Sequence, residues 1–116
     1  MPQFMLVLRG GEFDGYSPAE MQAITARYIG WMKKVGPQGK VVGGAPLAEG
    51  GKVLRGPTAS VRVTDGPYAE TKEVIGGYYL VEAPDEAAAV EFSRDCPHLD
   101  VRGTVELRQV ADLPVA

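Results

Sequence analysis

The sequence predicts an α+β domain in which one antiparallel sheet carries two helices on a single face. Three observations predict it. Two stretches with helix-start signals, at residues 17–35 and 84–96, are separated by a long run of strand-like segments. Those segments alternate apolar and polar residues or form short apolar runs, giving the order β-α-β-β-β-β-α-β. The 15 Gly and 9 Pro punctuate apolar runs instead of clustering, so the chain shows turns but no linker, and its 116 residues form one domain over 1–116. Two helices can cover only one side of such a sheet.

The elements follow in order. Residues 3–8 are a short apolar run, expected as a strand buried on both faces. A Gly-rich loop follows over residues 9–16. Ser17-Pro18-Ala19-Glu20 is a helix start: Ser17 caps, Pro18 suits the first helical position and Glu20 completes a capping box. Met21, Ile24, Tyr28, Trp31, Met32 and Val35 recur at helical spacing and are expected in the core, with Lys33 and Lys34 at the negative helix end and Gly36-Pro37 as the stop. Residues 40–43 read as the second strand. Residues 52–55 and 60–64 read as an antiparallel pair, and 74–82 as the longest strand, with Gly76-Gly77 marking a bulge or a close backbone approach. Pro84-Asp85-Glu86 begins the second helix, whose inner face is Ala89, Phe92 and Cys96, and Pro97 ends it. The last strand, 104–110, places Val105 and Leu107 on one face and Thr104, Glu106 and Arg108 on the other.

The chain is organised around Thr64-Asp65-Gly66-Pro67-Tyr68-Ala69-Glu70-Thr71-Lys72-Glu73. Gly66-Pro67 breaks any strand. Asp65 is expected to fix the turn by accepting backbone N–H bonds, Lys72 to reach back towards Asp65 or Glu70, and Tyr68 to lay its ring on apolar surface. So many charges in one loop between strands suggest a site; the alternative is a solvated, salt-bridged connection.

The same loop carries a resemblance. Asp65-Gly66-Pro67-Tyr68-Ala69-Glu70-Thr71-Lys72-Glu73 resembles the signature of the DGPF branch of the YCII-related proteins, with Tyr68 where Phe is usual. Gly76-Gly77-Tyr78-Tyr79-Leu80-Val81 and Gly103-Thr104-Val105-Glu106-Leu107-Arg108 resemble the strands that follow in that family. The resemblance implies a ferredoxin-like α+β fold, usually paired into a dimeric α/β barrel. In other YCII-related proteins a His early in the first helix and an Asp after the second strand are the proposed catalytic pair. Here Glu20 stands at the helix position and Glu49 lies near the Asp position, so that pair is not retained as such. Genes of this branch often neighbour those of extracytoplasmic-function sigma factors, which makes a regulatory partner one expectation.

Composition narrows the function classes. A net charge of −3 argues against a nucleic-acid surface and against an electrostatic membrane anchor. The apolar run at 4–8 is too short for a membrane span or a secretion signal. The single Cys forms no internal disulfide, so the chain reads as cytoplasmic. Cys96 and His98, with no other His or Cys, make no metal site, and Cys96 reads as a core thiol. His98, on a loop after a helix and expected to be exposed, is the one imidazole available for acid–base work. No dinucleotide fingerprint, phosphate loop or nucleophile elbow occurs, so no cofactor is expected. The sheet face away from the helices, carrying Arg62, Glu106 and Arg108 beside apolar residues, is expected to be covered by a twofold partner. The resulting expectation is a homodimer with a small-molecule pocket bordered by Asp65, Tyr68, Glu70, Lys72, Glu106 and Arg108. The alternative is a cofactor-free isomerase or lyase using His98, Glu20 or Glu49.

Overall fold

The computed structural model describes residues 1–66 and 74–113. Its elements are β1 (Gln3–Gly10), α1 (Pro18–Trp31), β2 (Val35–Gly36), β3 (Gly39–Pro46), β4 (Lys52–Arg55), β5 (Arg62–Asp65), β6 (Ile75–Glu82), α2 (Glu86–Ser93) and β7 (Gly103–Gln109). Five strands form one antiparallel sheet in the order β2-β3-β6-β1-β7. Within it, β1-α1-β3 and β6-α2-β7 interleave as two β-α-β halves, the ferredoxin-like arrangement.

The predicted helix starts form as read. Ser17 Oγ accepts from the Glu20 N–H at 3.1 Å, and a Glu20 carboxylate oxygen accepts from the Ser17 N–H at 3.0 Å. Asp85 caps α2 by accepting from the Ala88 N–H at 2.8 Å. The glycine pair in β6 is a bulge: Leu8 pairs with Gly77 and Arg9 with Ile75, leaving Gly76 without an opposite residue.

Several boundaries differ from the sequence reading, each for a local reason. The strands do not all join one sheet: β4 and β5 pair only with each other, Lys52 opposite Asp65 and Leu54 opposite Val63. Gly50 and Gly51, with φ of +83° and +133°, turn the chain out of the main sheet before β4 begins. The second strand of that pair starts at Arg62, because Thr58–Ser60 close a 3-10 turn in which the Ser60 N–H donates to the Pro57 carbonyl at 2.9 Å. Helix α1 stops at Trp31, and Val35 instead opens β2 opposite Lys40. Helix α2 stops at Ser93, so Cys96 lies beyond it. Proline disfavours the helical region for the residue before it, and Cys96 is extended at φ −59°, ψ 125°.

The core fills the space between the helices and one sheet face. Leu6, Val81 and Phe92 are fully buried there. The Trp31 ring lies 4.8 Å from Tyr79 and 5.5 Å from Phe92, centroid to centroid. Lys34, expected only to complement a helix dipole, ties the two helical segments together. Its ammonium donates to the Phe92 carbonyl at 2.6 Å and to Asp95 at 2.8 Å, and it sits 4.2 Å from the Phe92 ring centroid. Trp31 Nε1 donates to the same Asp95 carboxylate at 2.9 Å. Burial alone would raise the Asp95 carboxyl, but the bonds from Lys34 and Trp31 outweigh it and hold it below the usual range.

The described residues span 47 × 47 × 19 Å. Packed layers lie about 10 Å apart, so the short dimension holds one sheet and one helical layer. The other sheet face has no covering layer among the described residues.

Candidate functional site

Between α1 and the covered face of the sheet lies a cavity of about 320 Å³. Helix α1 supplies Met21, Ile24 and Tyr28, and Met32, which caps its C-terminus, joins them; the strands supply Leu8 from β1, Pro46 from β3 and Tyr79 from β6. Met21 and Ile24, expected in the core, are only half-buried. The same apolar stripe therefore has two jobs. Trp31 packs against Phe92, while Met21, Ile24, Tyr28 and Met32 line open space. The glycine bulge shapes the opposite wall, since Gly76 and Gly77 bring backbone but no side chain to it.

One polar constellation borders this apolar space. His98, expected on an exposed loop, is only 3% exposed. Its burial follows from Pro97–Val101, a 3-10 turn that tucks the ring under the sheet edge. Nδ1 lies 2.8 Å from the Tyr28 hydroxyl, and Nε2 lies 2.8 Å from the Arg9 carbonyl oxygen. Two glycines make room for the ring. A Cβ on Gly103 would overlap His98 Nε2, and one on Gly11, at φ +97°, would come within 3.0 Å of Cε1. The Tyr79 hydroxyl donates to the Tyr28 carbonyl at 3.1 Å, fixing the helix over the strand. Burial pushes the Tyr28 phenol up to about 12 and raises Tyr79 as well, so both keep their protons near neutrality. Burial likewise lifts the Cys96 thiol to about 11, as befits a core thiol.

The sequence-predicted site residues fall into separate places. Glu106 and Arg108 stand together on the open face, where Glu106 accepts from Arg9 Nε at 3.0 Å and from Arg108 at 3.3 Å. These bonds, the one from Arg9 foremost, hold the Glu106 carboxyl below its ordinary value. Arg9 thus serves both faces, its carbonyl meeting His98 and its guanidinium meeting Glu106. Asp65 is exposed on β5 and paired with Lys52 across the two-stranded ladder. Glu20 is occupied in the helix cap, where the Ser17 backbone bond lowers its carboxyl, and Glu49 sits on an exposed loop. Tyr68, Glu70 and Lys72 lie outside the described residues. Of the candidates, His98 lines the cavity, and neither Glu106 nor Arg108 does.

Helical spacing places Tyr28 in the core, and nothing in the sequence marks Arg9. Their meeting with His98 joins positions 70 and 89 residues apart, which no local spacing reveals. Glycines at 11 and 103 are the only trace of the histidine's seat in the sequence. Among the described residues, no three His, Cys, Asp or Glu side chains gather as a metal site, and no helix is long and apolar enough to cross a membrane.

The fold and site define a ferredoxin-like α+β protein with an apolar cavity beneath its first helix. The profile of the YCII-related domain matches residues 5–114, and the chain belongs to that family. It is also 31% identical, over 93 residues, to an uncharacterized protein of Rhizobium meliloti (strain 1021), a match covering 79% of this chain and 71% of the relative.

Proposed function

We propose that the protein binds a small apolar molecule in the cavity between α1 and the sheet, and that it works as a homodimer joined through the open sheet face. The cavity carries the first part. Its volume of about 320 Å³ is near the lower end of ligand pockets, and its lining is apolar apart from a few hydroxyls and one imidazole. A packed core leaves no such space, because interiors approach crystal density. The open face supports the second part. Met5, Val7 and Leu80 form a half-buried apolar centre, rimmed by Lys40 with Glu82 on one side and Arg9 with Glu106 and Arg108 on the other. A twofold axis through such a patch would let each copy cover the other. The Asp65–Gly66–Pro67–Tyr68 motif supports placing the chain in the DGPF branch, and the single, buried cysteine is compatible with a cytoplasmic protein.

A second reading, cofactor-free acid–base catalysis by an isomerase or lyase, draws on the Tyr28–His98 hydrogen bond, which can relay a proton from a bound molecule through the Tyr28 hydroxyl to His98 Nδ1.

Thermal melts against a panel of small apolar ring compounds test the binding reading. A ligand present at a hundredfold its Kd adds about 2.7 kcal/mol to stability. The stabilisation should vanish in Ile24→Trp, whose indole would occupy the cavity, without loss of the folded state. A panel in which no compound stabilises the wild-type protein would refute the reading.

A further inference from the structure

We infer that the cavity selects its ligand through a hydroxyl donor, so that the ligand class is a ring-sized apolar molecule bearing one O–H, such as a phenol. This rests on the binding reading above and adds what the site recognises.

The argument follows hydrogens one at a time. A carbonyl oxygen only accepts, so at 2.8 Å from the Arg9 carbonyl His98 Nε2 must carry its hydrogen. A neutral imidazole has one N–H, which leaves Nδ1 with a lone pair. The Tyr28 hydroxyl, 2.8 Å away, then donates its only hydrogen to Nδ1. What Tyr28 Oη has left is lone pairs. The Tyr79 hydroxyl has likewise given its hydrogen, to the Tyr28 carbonyl at 3.1 Å. The Tyr28 and Tyr79 phenols are therefore acceptors with no hydrogen to offer, while Tyr78, which pairs with Val7 and alternates with the buried Tyr79 along β6, carries its side chain on the open face. Thr25, on the exposed side of α1, is the lining hydroxyl outside this chain.

An acceptor-only ligand group placed against these oxygens would set lone pair against lone pair in an apolar enclosure. An O–H donor would complete the chain from ligand to Tyr28 to His98 to the Arg9 carbonyl. The rigid seat of His98, buried and hemmed by Gly11 and Gly103, stops the ring from turning to reverse the pattern. The volume of about 320 Å³ accommodates a substituted benzene ring.

Two measurements on untagged protein test this. Because the chain has a single histidine, long-range 15N–1H spectra report its tautomer without ambiguity. At neutral pH they should show Nε2 protonated and Nδ1 bare; a proton on Nδ1 would overturn the inference. Titration with toluene, p-cresol and 4-methylbenzonitrile then reads ligand choice. The expected result is p-cresol binding about tenfold or more tighter than the nitrile, with p-cresol shifting the His98 Hε1 resonance. Equal binding of the three would overturn the donor rule while leaving the cavity as a binding site. Absence of binding by all three would overturn the donor rule and count against the cavity reading as well.

Discussion

Neighbouring residues of β1 meet opposite surroundings. Phe4, Leu6 and Leu8 are sealed beneath the helices, whereas Met5, Val7 and Arg9 stay half-exposed on the other side of the same strand. The chemistry diverges with the packing. On the covered face, exclusion of water raises the Cys96, Tyr28 and Tyr79 groups and keeps them protonated. On the open face, guanidinium partners lower Glu106 and keep it charged. Strand alternation alone would make these faces equivalent halves of a pleat. The difference shows that the covering layer, rather than the strand, sets what each side chain can do. Arg9 joins the two, its backbone serving one face and its side chain the other.

The sharpest break of this comparison is a pair of truncations. Phe92→Ala, beneath the helices, should cost about 3–5 kcal/mol in urea denaturation. Val7→Ala, on the open face, should cost under about 1 kcal/mol when measured on dilute protein. Similar costs for the two would mean that the open face is as closely packed as the covered one.

Next in size is an effect confined to assembly. Leu80→Arg puts a charge at the apolar centre of the open face. Sedimentation at micromolar concentration should show two chains per particle for the wild-type protein and one for the variant, with both folded. A monodisperse wild-type monomer would remove the case for a twofold partner.

The smallest effects are in pH dependence, and their signs oppose. Burial lifts Cys96 from 9.0 to about 11, so the folded state holds its proton after the unfolded chain has released its own. The contribution is full below the unfolded value and is lost as pH rises through the folded one, on the order of 2–3 kcal/mol in all. Tyr28, raised from 10.0 to about 12, extends the same loss upward. Glu106 acts in the other direction. Its lowered carboxyl contributes above the ordinary 4.5 and loses that contribution as pH falls through the lowered value, with the smaller amplitude of an exposed group. Melting temperatures across pH should fall on the alkaline side, less steeply in Cys96→Ala, and Glu106→Gln should flatten only the acid side. An alkaline limb unchanged by Cys96→Ala would mean that water reaches the thiol.

Local signals were legible wherever one segment carried its own instruction. The capping box at Ser17 and Glu20, the cap at Asp85 and the bulge at Gly76 all stand where the residue types place them. Less legible was where an element stops. The apolar period of the first helix continues to Val35, but Val35 pairs with Lys40 in β2. The separation of β4 and β5 from the main sheet was equally hidden, since two short alternating strands look alike whether they join a sheet or leave it.

By itself, then, the sequence determined the two helix starts, the strand periods and the α+β class, because each depends on residues within a few positions of one another. Its longest motif, from Asp65 to Glu73, identifies kinship; its cavity does not follow from any motif. Tertiary structure alone decided that Met21, Ile24, Tyr28 and Met32 of the apolar stripe would line a cavity. It also decided that His98 would be buried between a helix hydroxyl and a strand carbonyl, and that Glu106 would face away from both. The physical reason is that these outcomes depend on the distance between layers. That distance is set by the large rings of Trp31, Tyr79 and Phe92 where they meet, at one end of the interface, and it leaves the other end open.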